Sequence, residues 1–168
     1  MPSNNIDINF DNSYSRLPEN FYEKINPESV KDPKLIVFNN DLGTKLGIEN
    51  TGSKETLSKV FSGNLLPDGS EPIALAYAGH QFGQFVPQLG DGRAILLGEV
   101  IDNSSFRRDI QLKGAGLTPF SRQGDGRAAL GPVLREYIIS EGMHALGIST
   151  TRSPVSYTHL TLPTKRIV

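Results

Sequence analysis

Hydrophobic and polar residues alternate most clearly in the middle of the chain. Arg93–Val100 and Arg108–Lys113 show the pattern of two strands separated by a short polar turn. In the second strand, a period of two places Ile110 and Leu112 on one face and Lys113 on the opposite face. The pattern therefore predicts a hairpin-like strand pair with a lysine on its polar face.

Three segments carry the capping and breaking signals of helices. Asn40 is a candidate N-cap for a helical turn over 41–46, and Ser53 is a candidate N-cap for a second helix. Pro132 at a first helical position and a closing Gly147 predict the longest helix. Its apolar residues spread widely around the helix axis, so we expect this helix to be packed on more than one side.

The first thirty or so residues show little periodicity and contain several prolines. This composition predicts an extended N-terminal arm that lies on a later core. The expected anchors of the arm are Tyr14, Leu17, Phe21 and Tyr22. We divide the chain into the arm with short helices (1–70), a glycine-rich part (71–152) and a C-terminal tail (153–168).

Composition excludes several classes of function. With 168 residues and 37% hydrophobic content, the chain has the length of one ordinary domain with a modest core. Its 17 Lys+Arg and 18 Asp+Glu give a net charge of -1, so it has no basic field for DNA, RNA or anionic lipid. The absence of cysteine excludes disulfides and thiolate metal sites. Without a leader-like start or an apolar stretch near ~20 residues, we expect a soluble cytoplasmic protein with no nucleic-acid or membrane partner.

The most informative motif is a five-residue string that occurs twice. Gly-Asp-Gly-Arg-Ala lies at 90–94 and again at 124–128, with Lys113 between the copies. Glycines let backbone N–H groups approach a ligand closely, arginine is a permanent planar donor, and aspartate binds a metal or a hydroxyl. The pattern indicates a phosphate-binding site, although a tight turn is an equally good explanation for a single copy.

Lys113 and a carboxylate on the predicted long helix, Glu136, form a second candidate pair. The order of glycine loop, strand lysine and helix glutamate is that of a kinase-like nucleotide lobe. Taken singly, Lys113 would be a solvated strand-end lysine and Glu136 an ordinary surface acid. The P-loop, dinucleotide and serine-hydrolase patterns are absent, and the three histidines are too scattered for a metal-binding pair.

Longer strings in the same region carry a family resemblance. Residues 77–94 (YAGHQFGQFVPQLGDGRA), 109–116 (DIQLKGAG), 118–122 (TPFSR) and 124–128 (GDGRA) closely resemble the selenoprotein O family. The resemblance implies an α+β fold, namely a protein kinase-like N-terminal lobe with an antiparallel sheet, a packed helix and an extended N-terminal arm. The glycine-rich part, 71–152, would be the nucleotide-binding part of this lobe.

The resemblance also implies an activity and a set of site residues. Members of the family transfer AMP from ATP to Ser, Thr or Tyr hydroxyls of proteins, and they hold ATP flipped relative to ordinary kinases. The residues implied to bind ATP are Gly90, Gly92, Arg93, Lys113, Asp125 and Gly126. Glu136 resembles the helix glutamate that pairs with the lysine.

The chain is shorter than members of this family, which limits what it is expected to do. The family's catalytic Asp and its Mg²⁺-binding Asn and Asp lie in a C-terminal lobe, and this chain is truncated before that lobe. We therefore assign no catalytic or metal-binding residue here, and we expect the fragment alone to be inactive. The alternative is a non-catalytic, pseudokinase-like regulatory module that binds ATP without chemistry.

The C-terminal segment departs from the family in sequence. After Arg152 the family continues with a strand, whereas residues 153–168 resemble translated read-through of a sequencing adapter. A genuine but divergent terminus is the alternative. We expect 153–168 to be a non-native tail.

Overall fold

Short strands and three α-helices make up the fold in the computed structural model, which describes residues 6–48 and 53–158. In chain order the strands are β1 (Tyr22–Lys24), β2 (Lys34–Phe38), β3 (Ile73–Leu75), β4 (Gly79–Gln81), β5 (Gln84–Val86), β6 (Ala94–Ile101), β7 (Arg107–Lys113) and β8 (Val155–Thr158). The helices are α1 (Asn40–Lys45), α2 (Lys54–Phe61) and α3 (Leu130–Ala145), with single 3-10 turns at Tyr14–Arg16 and Glu19–Phe21. None of the helices in this described part of the chain has the length and apolar content of a transmembrane segment.

Four of the strands form one antiparallel sheet in the order β1-β3-β6-β7. Strand β2 pairs with β8, and β4 pairs with β5, as separate two-stranded ribbons. The predicted α+β class is confirmed, because antiparallel strands and separate helices make up the same domain.

The central hairpin β6–β7 is the one predicted from the alternating pattern. Ala94 lies opposite Lys113, and Ile95 lies opposite Leu112, in the antiparallel register. Ile110 and Leu112 are buried whereas Lys113 is exposed, because successive side chains on a strand point to opposite faces. The hairpin thus presents Lys113 as the last residue of an edge strand.

Strand β6 is buried along almost its whole length, so both faces of the sheet are covered there. On one face Leu96 packs with Tyr22 and Ile73. The other face belongs to the larger core cluster, which consists of Ile6, Ile8, Ile48, Leu57, Val60, Phe61, Ile95, Leu97, Val100, Ile110, Leu112 and Ala115.

The N-terminal arm packs on the sheet as expected, but two of its four predicted anchors are wrong. Tyr22 is buried, and Tyr14 packs against its cluster. Leu17 and Phe21 are 40% and 47% exposed. They lie at the ends of one-turn 3-10 helices that bury none of their own residues.

Besides Tyr14 and Tyr22, residues nearer the N-terminus anchor the arm. Ile6 and Ile8 are almost fully buried, and Phe10 forms an isolated bridge with Val100. The arm passes so close to β6 that a Cβ at Gly98, where φ is +155°, would collide with Phe10. Close packing of the arm therefore explains the glycine in the middle of this strand.

Helix α2 begins as predicted, whereas α1 begins one residue early. The Ser53 hydroxyl accepts a hydrogen bond from the Thr56 N–H (3.1 Å). At α1 the N-cap is Asn39, because its side chain accepts from the Leu42 N–H (3.1 Å). The prediction of Asn40 as the cap is wrong, and Asn40 is the first helical residue.

Helix α3 is the longest helix in the described residues, as predicted, but its expected start is wrong, and the expected packing on more than one side is not seen in the described residues. It begins at Leu130, so Pro132 is its third residue, where a missing N–H still costs no intrahelical hydrogen bond. Ser140 is the only buried residue of the helix, and Ile138 and Ile139 are 66% and 59% exposed. Within the described residues, the helix is covered on one side only.

Part of the C-terminal segment forms strand β8. Val155 pairs with Phe38 of β2, and Ser156 is buried. The remaining residues of the predicted tail, 159–168, lie outside the described residues. The non-native origin of 153–168 and the division of the chain into three parts stay predictions.

Candidate functional site

A groove of about 1140 Å³ lies between the first Gly-Asp-Gly-Arg loop, the end of β7 and α3. Gly92, Arg93, Lys113 and Glu136 are among its lining residues. Residues 149–157 contribute a further part of its wall. Four residues that the sequence singled out therefore line the same groove.

Lys113 and Glu136 form an ion pair, as the sequence led us to expect. The lysine Nζ lies 2.7 and 2.8 Å from the two carboxylate oxygens. The polar face of β7 presents the lysine, and the second turn of α3 presents the glutamate. Their side chains are 46% and 52% exposed, so the pair contributes only about 0–1 kcal/mol to stability. Its main effect is to fix the ammonium group at the groove.

The aspartate of the first Gly-Asp-Gly-Arg copy is buried and saturated with hydrogen bonds. Asp91 accepts from the Leu75 N–H (3.2 Å), the Tyr77 hydroxyl (3.0 Å) and the Gln111 side-chain amide (3.2 Å). Burial raises the pKa of Asp91, although these hydrogen bonds oppose the shift. Burial, with the neighbouring carboxylate, raises the pKa of Tyr77 to about 12. Asp91 therefore holds the loop against β3 and β7.

Packing against Phe120 requires both glycines of this loop. Gly90 has a φ of +65°, and a Cβ there would collide with the Phe120 ring. A Cβ at Gly92 would lie 2.9 Å from the Phe120 carbonyl oxygen. The tight-turn explanation thus accounts for part of the glycine pattern without any ligand.

A turn at 118–121 clamps the first loop. The Thr118 hydroxyl donates to the Asp91 carbonyl oxygen (2.6 Å), and the Ser121 hydroxyl donates to the Gly92 carbonyl oxygen (2.6 Å). The Ser121 hydroxyl oxygen also accepts from the Thr118 N–H (2.7 Å), and Thr118 is only 8% exposed. These bonds fix the two peptide carbonyls on either side of the Gly92 Cα.

Arg93 follows this loop, and its side chain is exposed. Its backbone oxygen accepts from the N–H of Gly114 (2.7 Å), the residue after Lys113. The two cations therefore start from neighbouring positions, Arg93 just before β6 and Lys113 at the end of β7. Within the described ranges, no acidic side chain forms an ion pair with the Arg93 guanidinium. Its N–H donors are therefore available to an anion.

The second Gly-Asp-Gly-Arg copy is arranged differently. Asp125 is exposed, and its carboxylate accepts from the Arg127 N–H (2.9 Å) in an Asx-type turn. Gly126 has a φ of +68° and packs against the backbone of the preceding loop. Arg127 forms an ion pair with Glu28 of the N-terminal arm (2.8 Å). Unlike Arg93, the arginine of the second copy is engaged by the protein itself.

The structure brings the predicted ATP-binding residues together only in part. Those that line the groove are Gly92, Arg93 and Lys113. The others lie outside the lining found in the described part of the chain, namely Gly90, Asp125 and Gly126. The second loop still contacts the segment that follows β7, because the Gly126 carbonyl oxygen accepts from the Gly116 N–H (3.2 Å).

Sequence reasoning missed the polar residues that hold these loops. Alternation along β7 places Gln111 on the same polar face as Lys113. The sequence could therefore have indicated Gln111 as a candidate partner of the first loop. Thr118 and Ser121 carry no chemical signature of their own. Glu28 is separated from Arg127 by 99 positions, and no local pattern reveals such a contact.

Comparison with known proteins connects this site to a family. Residues 4–161 match the sequence model of the family described as Protein adenylyltransferase SelO. The protein nucleotidyltransferase YdiU of Rhizobium meliloti (strain 1021) is 65% identical over 144 residues, which are 86% of this chain and 29% of that protein. Proteins of the same name from Alkalilimnicola ehrlichii and Rhizobium rhizogenes are 61% and 64% identical, over 89% and 90% of this chain. The chain spans 29–30% of the length of these relatives. It belongs to the SelO family of protein adenylyltransferases.

Proposed function

We propose that the protein to which this chain belongs binds ATP in the groove beside Lys113 and transfers AMP to Ser, Thr or Tyr hydroxyls of other proteins. The observation that carries the proposal is the Lys113–Glu136 pair, set beside the exposed Arg93 in one groove. Two cations at one groove suit the phosphate oxygens of ATP, because charge-assisted hydrogen bonds to phosphate are strong. The names of the related proteins favour nucleotidyl transfer over phosphoryl transfer.

Each site residue has a distinct task in this proposal. Glu136 holds the Lys113 ammonium in place, and Arg93 offers a planar pair of donors to a second phosphate. The first loop is fixed by its own hydrogen bonds, so ATP would not have to order it. Gly90, Asp125 and Gly126 are proposed as further contacts by family resemblance, with the adjacency of the two loops as support.

The proposed reaction exchanges a phosphoanhydride bond of ATP for a phosphate ester bond to the acceptor. The acceptor hydroxyl oxygen attacks the α-phosphorus of ATP, and the bond from that phosphorus to the oxygen bridging to the β-phosphate breaks. Pyrophosphate leaves with this oxygen, and the hydroxyl proton passes to a base in the part of the protein that this chain does not include. Lys113 and Arg93 would position the triphosphate and stabilise charge on the leaving group.

Mg²⁺ belongs to the proposal through the family resemblance. Within residues 6–48 and 53–158, no three His, Asp or Glu side chains come together as a metal site. The described residues therefore do not fit the task of holding the ion, and we assign no step to it.

The reaction is tested with a full-length chimera, in which residues 1–152 of this chain replace the matching part of the Rhizobium meliloti relative. The chimera is incubated with protein acceptors and ATP that carries its label on either the α- or the γ-phosphate. We expect hydroxyl-linked label in protein from the α-labelled ATP only. Label from γ-labelled ATP would indicate phosphoryl transfer and contradict the proposal, as would the absence of label from both.

The ATP site itself is tested with Lys113→Ala and a matched lysine. Lys59 also forms an exposed ion pair, with Glu55 (2.7 Å), but it lies on α2 away from the groove. Losing a charged hydrogen bond costs about 1.5–3 kcal/mol, so Lys113→Ala should weaken ATP binding by about 10- to 100-fold in a calorimetric titration of the chimera. Lys59→Ala should leave the affinity unchanged, and equal effects of the two substitutions would overturn the assignment.

A further inference from the structure

The outer face of α3 is apolar and exposed to solvent. We define this face by Ile138, Ile139, Gly142, Ala145 and Leu146, which recur at helical spacing and form one stripe. All five are exposed, and the side chains of Ile138, Ile139 and Leu146 are 66%, 59% and 77% accessible. A Cβ added at Gly142 would meet no atom within 4 Å, so this side of the helix is open.

The opposite side of α3 meets the rest of the fold with polar groups. Glu136 binds Lys113, Glu141 binds Arg152 (2.6 Å), and the one buried residue of the helix is Ser140. Two carboxylates and the half-buried Val133, Leu134 and Tyr137 therefore lie on the less exposed side of α3, while its isoleucines face water. A surface helix whose partners are all present rarely leaves its large apolar residues this exposed. A contiguous apolar stripe of this kind marks a contact surface.

The length of the related proteins indicates what covers this surface. The chain matches only 29% of the length of the Rhizobium meliloti relative, so more than two thirds of such a protein is available to pack against it. We propose that the outer face of α3 is an internal interface of the full-length protein, covered by an apolar surface in the part that this chain does not include. The proposal rests on family membership and not on the proposed ATP site.

The positive charge of Arg135, at one end of the stripe, favours the rest of the full-length protein over a second copy of the chain as the covering surface. Arg135 lies one turn before Ile138 and Ile139, and within the described ranges its guanidinium has no ionic partner. A covering surface that also buries Arg135 would have to bring a carboxylate to it. The outer face contains no acidic residue, so a second copy of the same face cannot supply one.

Cysteine labelling tests the interface directly, because the chain contains no cysteine of its own. Leu146→Cys places a thiol on the outer face. Leu17→Cys is the matched control, since Leu17 is an exposed aliphatic residue outside this face (40% accessible). The rate of maleimide labelling at each introduced site is measured by mass spectrometry, in the 168-residue chain and in the full-length chimera.

We expect both thiols to react at similar rates in the 168-residue chain. In the chimera, labelling at position 146 should slow by about tenfold or more, whereas labelling at position 17 should not change. Equal rates at position 146 in the two proteins would overturn the proposal. Slowing that appears in the short chain as its concentration rises would also overturn it, because the occupant would then be a second copy. Ile139→Cys provides an independent probe if Leu146→Cys disturbs folding.

Discussion

Arg93 and Arg127 occupy the same place in two identical five-residue strings, yet they have different surroundings. Arg127 is held by Glu28 (2.8 Å), so it fastens the N-terminal arm to the second loop. Arg93 begins the run into β6 and leaves its guanidinium exposed beside Lys113. A guanidinium that is already paired offers fewer donors to a phosphate. At the scale of single residues, only the first copy of the string retains a cation for a ligand.

The first prediction concerns Glu136→Gln, which removes the charge that holds Lys113. Because both side chains are about half exposed, the free energy of unfolding should change by less than about 1 kcal/mol. The affinity of the chimera for ATP should fall by about fivefold, since the ammonium is no longer fixed. Urea unfolding and calorimetric titration measure the two quantities separately.

Glu55→Gln is the matched control for this substitution, because Glu55 pairs with Lys59 on the exposed surface of α2. It should change neither the ATP affinity nor the stability appreciably. An unchanged affinity in Glu136→Gln would show that Glu136 has no positioning role for Lys113.

The sequence predicted the Lys113–Glu136 pair because each residue lies on a regular element with a clear periodicity. The period of two in β7 gives the polar face of Lys113, and helix α3 supplies Glu136. The burial of Asp91 was not predictable in this way. Its partners come from two separate segments, Leu75 and Tyr77 at and just after the end of β3 and Gln111 on β7, so the contact is a property of the assembled fold.

At the scale of elements, local signals located the helices, although α1 and α3 begin one and two residues earlier than expected, whereas much of the long-range packing was not predictable. Ser53 caps α2 as expected, because the cap and its acceptor lie three residues apart. Tyr14 and Tyr22 hold the arm as expected, but Leu17 and Phe21 do not, and isoleucines near its start and a buried carboxylate on β6 hold it as well. Neither contact has a signature in a short window of sequence.

That buried carboxylate, Glu99, is 1% exposed and receives the arm through three hydrogen bonds. It accepts from the Ser13 N–H (2.6 Å), the Ser13 hydroxyl (2.5 Å) and the Tyr14 N–H (2.8 Å). Arg107 lies 3.3 Å away. Burial alone would raise the pKa of Glu99, but these hydrogen bonds and the arginine outweigh burial and lower it below 4.5.

We therefore predict that Glu99→Gln lowers the free energy of unfolding by about 2 kcal/mol at pH 7. Because the folded-state pKa is lowered, the contribution of Glu99 is complete above about pH 4.5 and is lost as pH falls through that lowered pKa. The difference between the native chain and the variant should shrink accordingly in urea unfolding at decreasing pH. A difference that stays constant below pH 4.5 would contradict an ionised Glu99 as the receiver of the arm. Glu23→Gln, at an exposed position of β1, should have little effect at either pH.

Strand β8 contains the buried polar atom for which the described residues offer no hydrogen-bond partner. Ser156 is only 1% exposed, and its hydroxyl is buried. An unpaired buried hydroxyl is unusual in native cores. Ser156 lies in the segment 153–168, which the sequence predicts to be a non-native tail.

We predict that Ser156→Ala raises the free energy of unfolding by about 1 kcal/mol, because the substitution removes a desolvated hydroxyl that makes no compensating bond. Urea denaturation of the 168-residue chain measures this change. The control is Ser149→Ala, since Ser149 is exposed and its hydroxyl is open to water. A loss of stability in Ser156→Ala would indicate a hydrogen bond that stabilises the strand.

At the scale of the whole molecule, the proposed function and the proposed interface each involve protein beyond this chain. The groove presents Arg93 and Lys113, and the described residues contain no group of acidic or histidine side chains able to hold a metal. The outer face of α3 is apolar and uncovered. Both observations agree with a chain that spans 29% of the length of a relative. Binding and catalysis should therefore separate when the chain is studied by itself.

The last prediction concerns this separation. The 168-residue chain should bind ATP, because Lys113, Glu136 and Arg93 are in place without further protein. Its affinity should lie within about tenfold of that of the chimera, since the first loop is already fixed by the turn at 118–121. It should transfer no AMP, because the family resemblance implies that the catalytic Asp lies in the C-terminal lobe. Calorimetric titration and the α-label assay, applied to both proteins, measure the two properties.

Comparison of the 168-residue chain with the chimera distinguishes the possible outcomes of this prediction. AMP transfer by the short chain would show that the groove contains the complete catalytic apparatus. ATP binding by the chimera without any transfer would instead favour the non-catalytic regulatory module. Lys113→Ala in the short chain should abolish most of its ATP binding, whereas Lys59→Ala should not, because only Lys113 stands at the groove. A short chain that binds ATP equally well with and without Lys113 would contradict the groove as the nucleotide site.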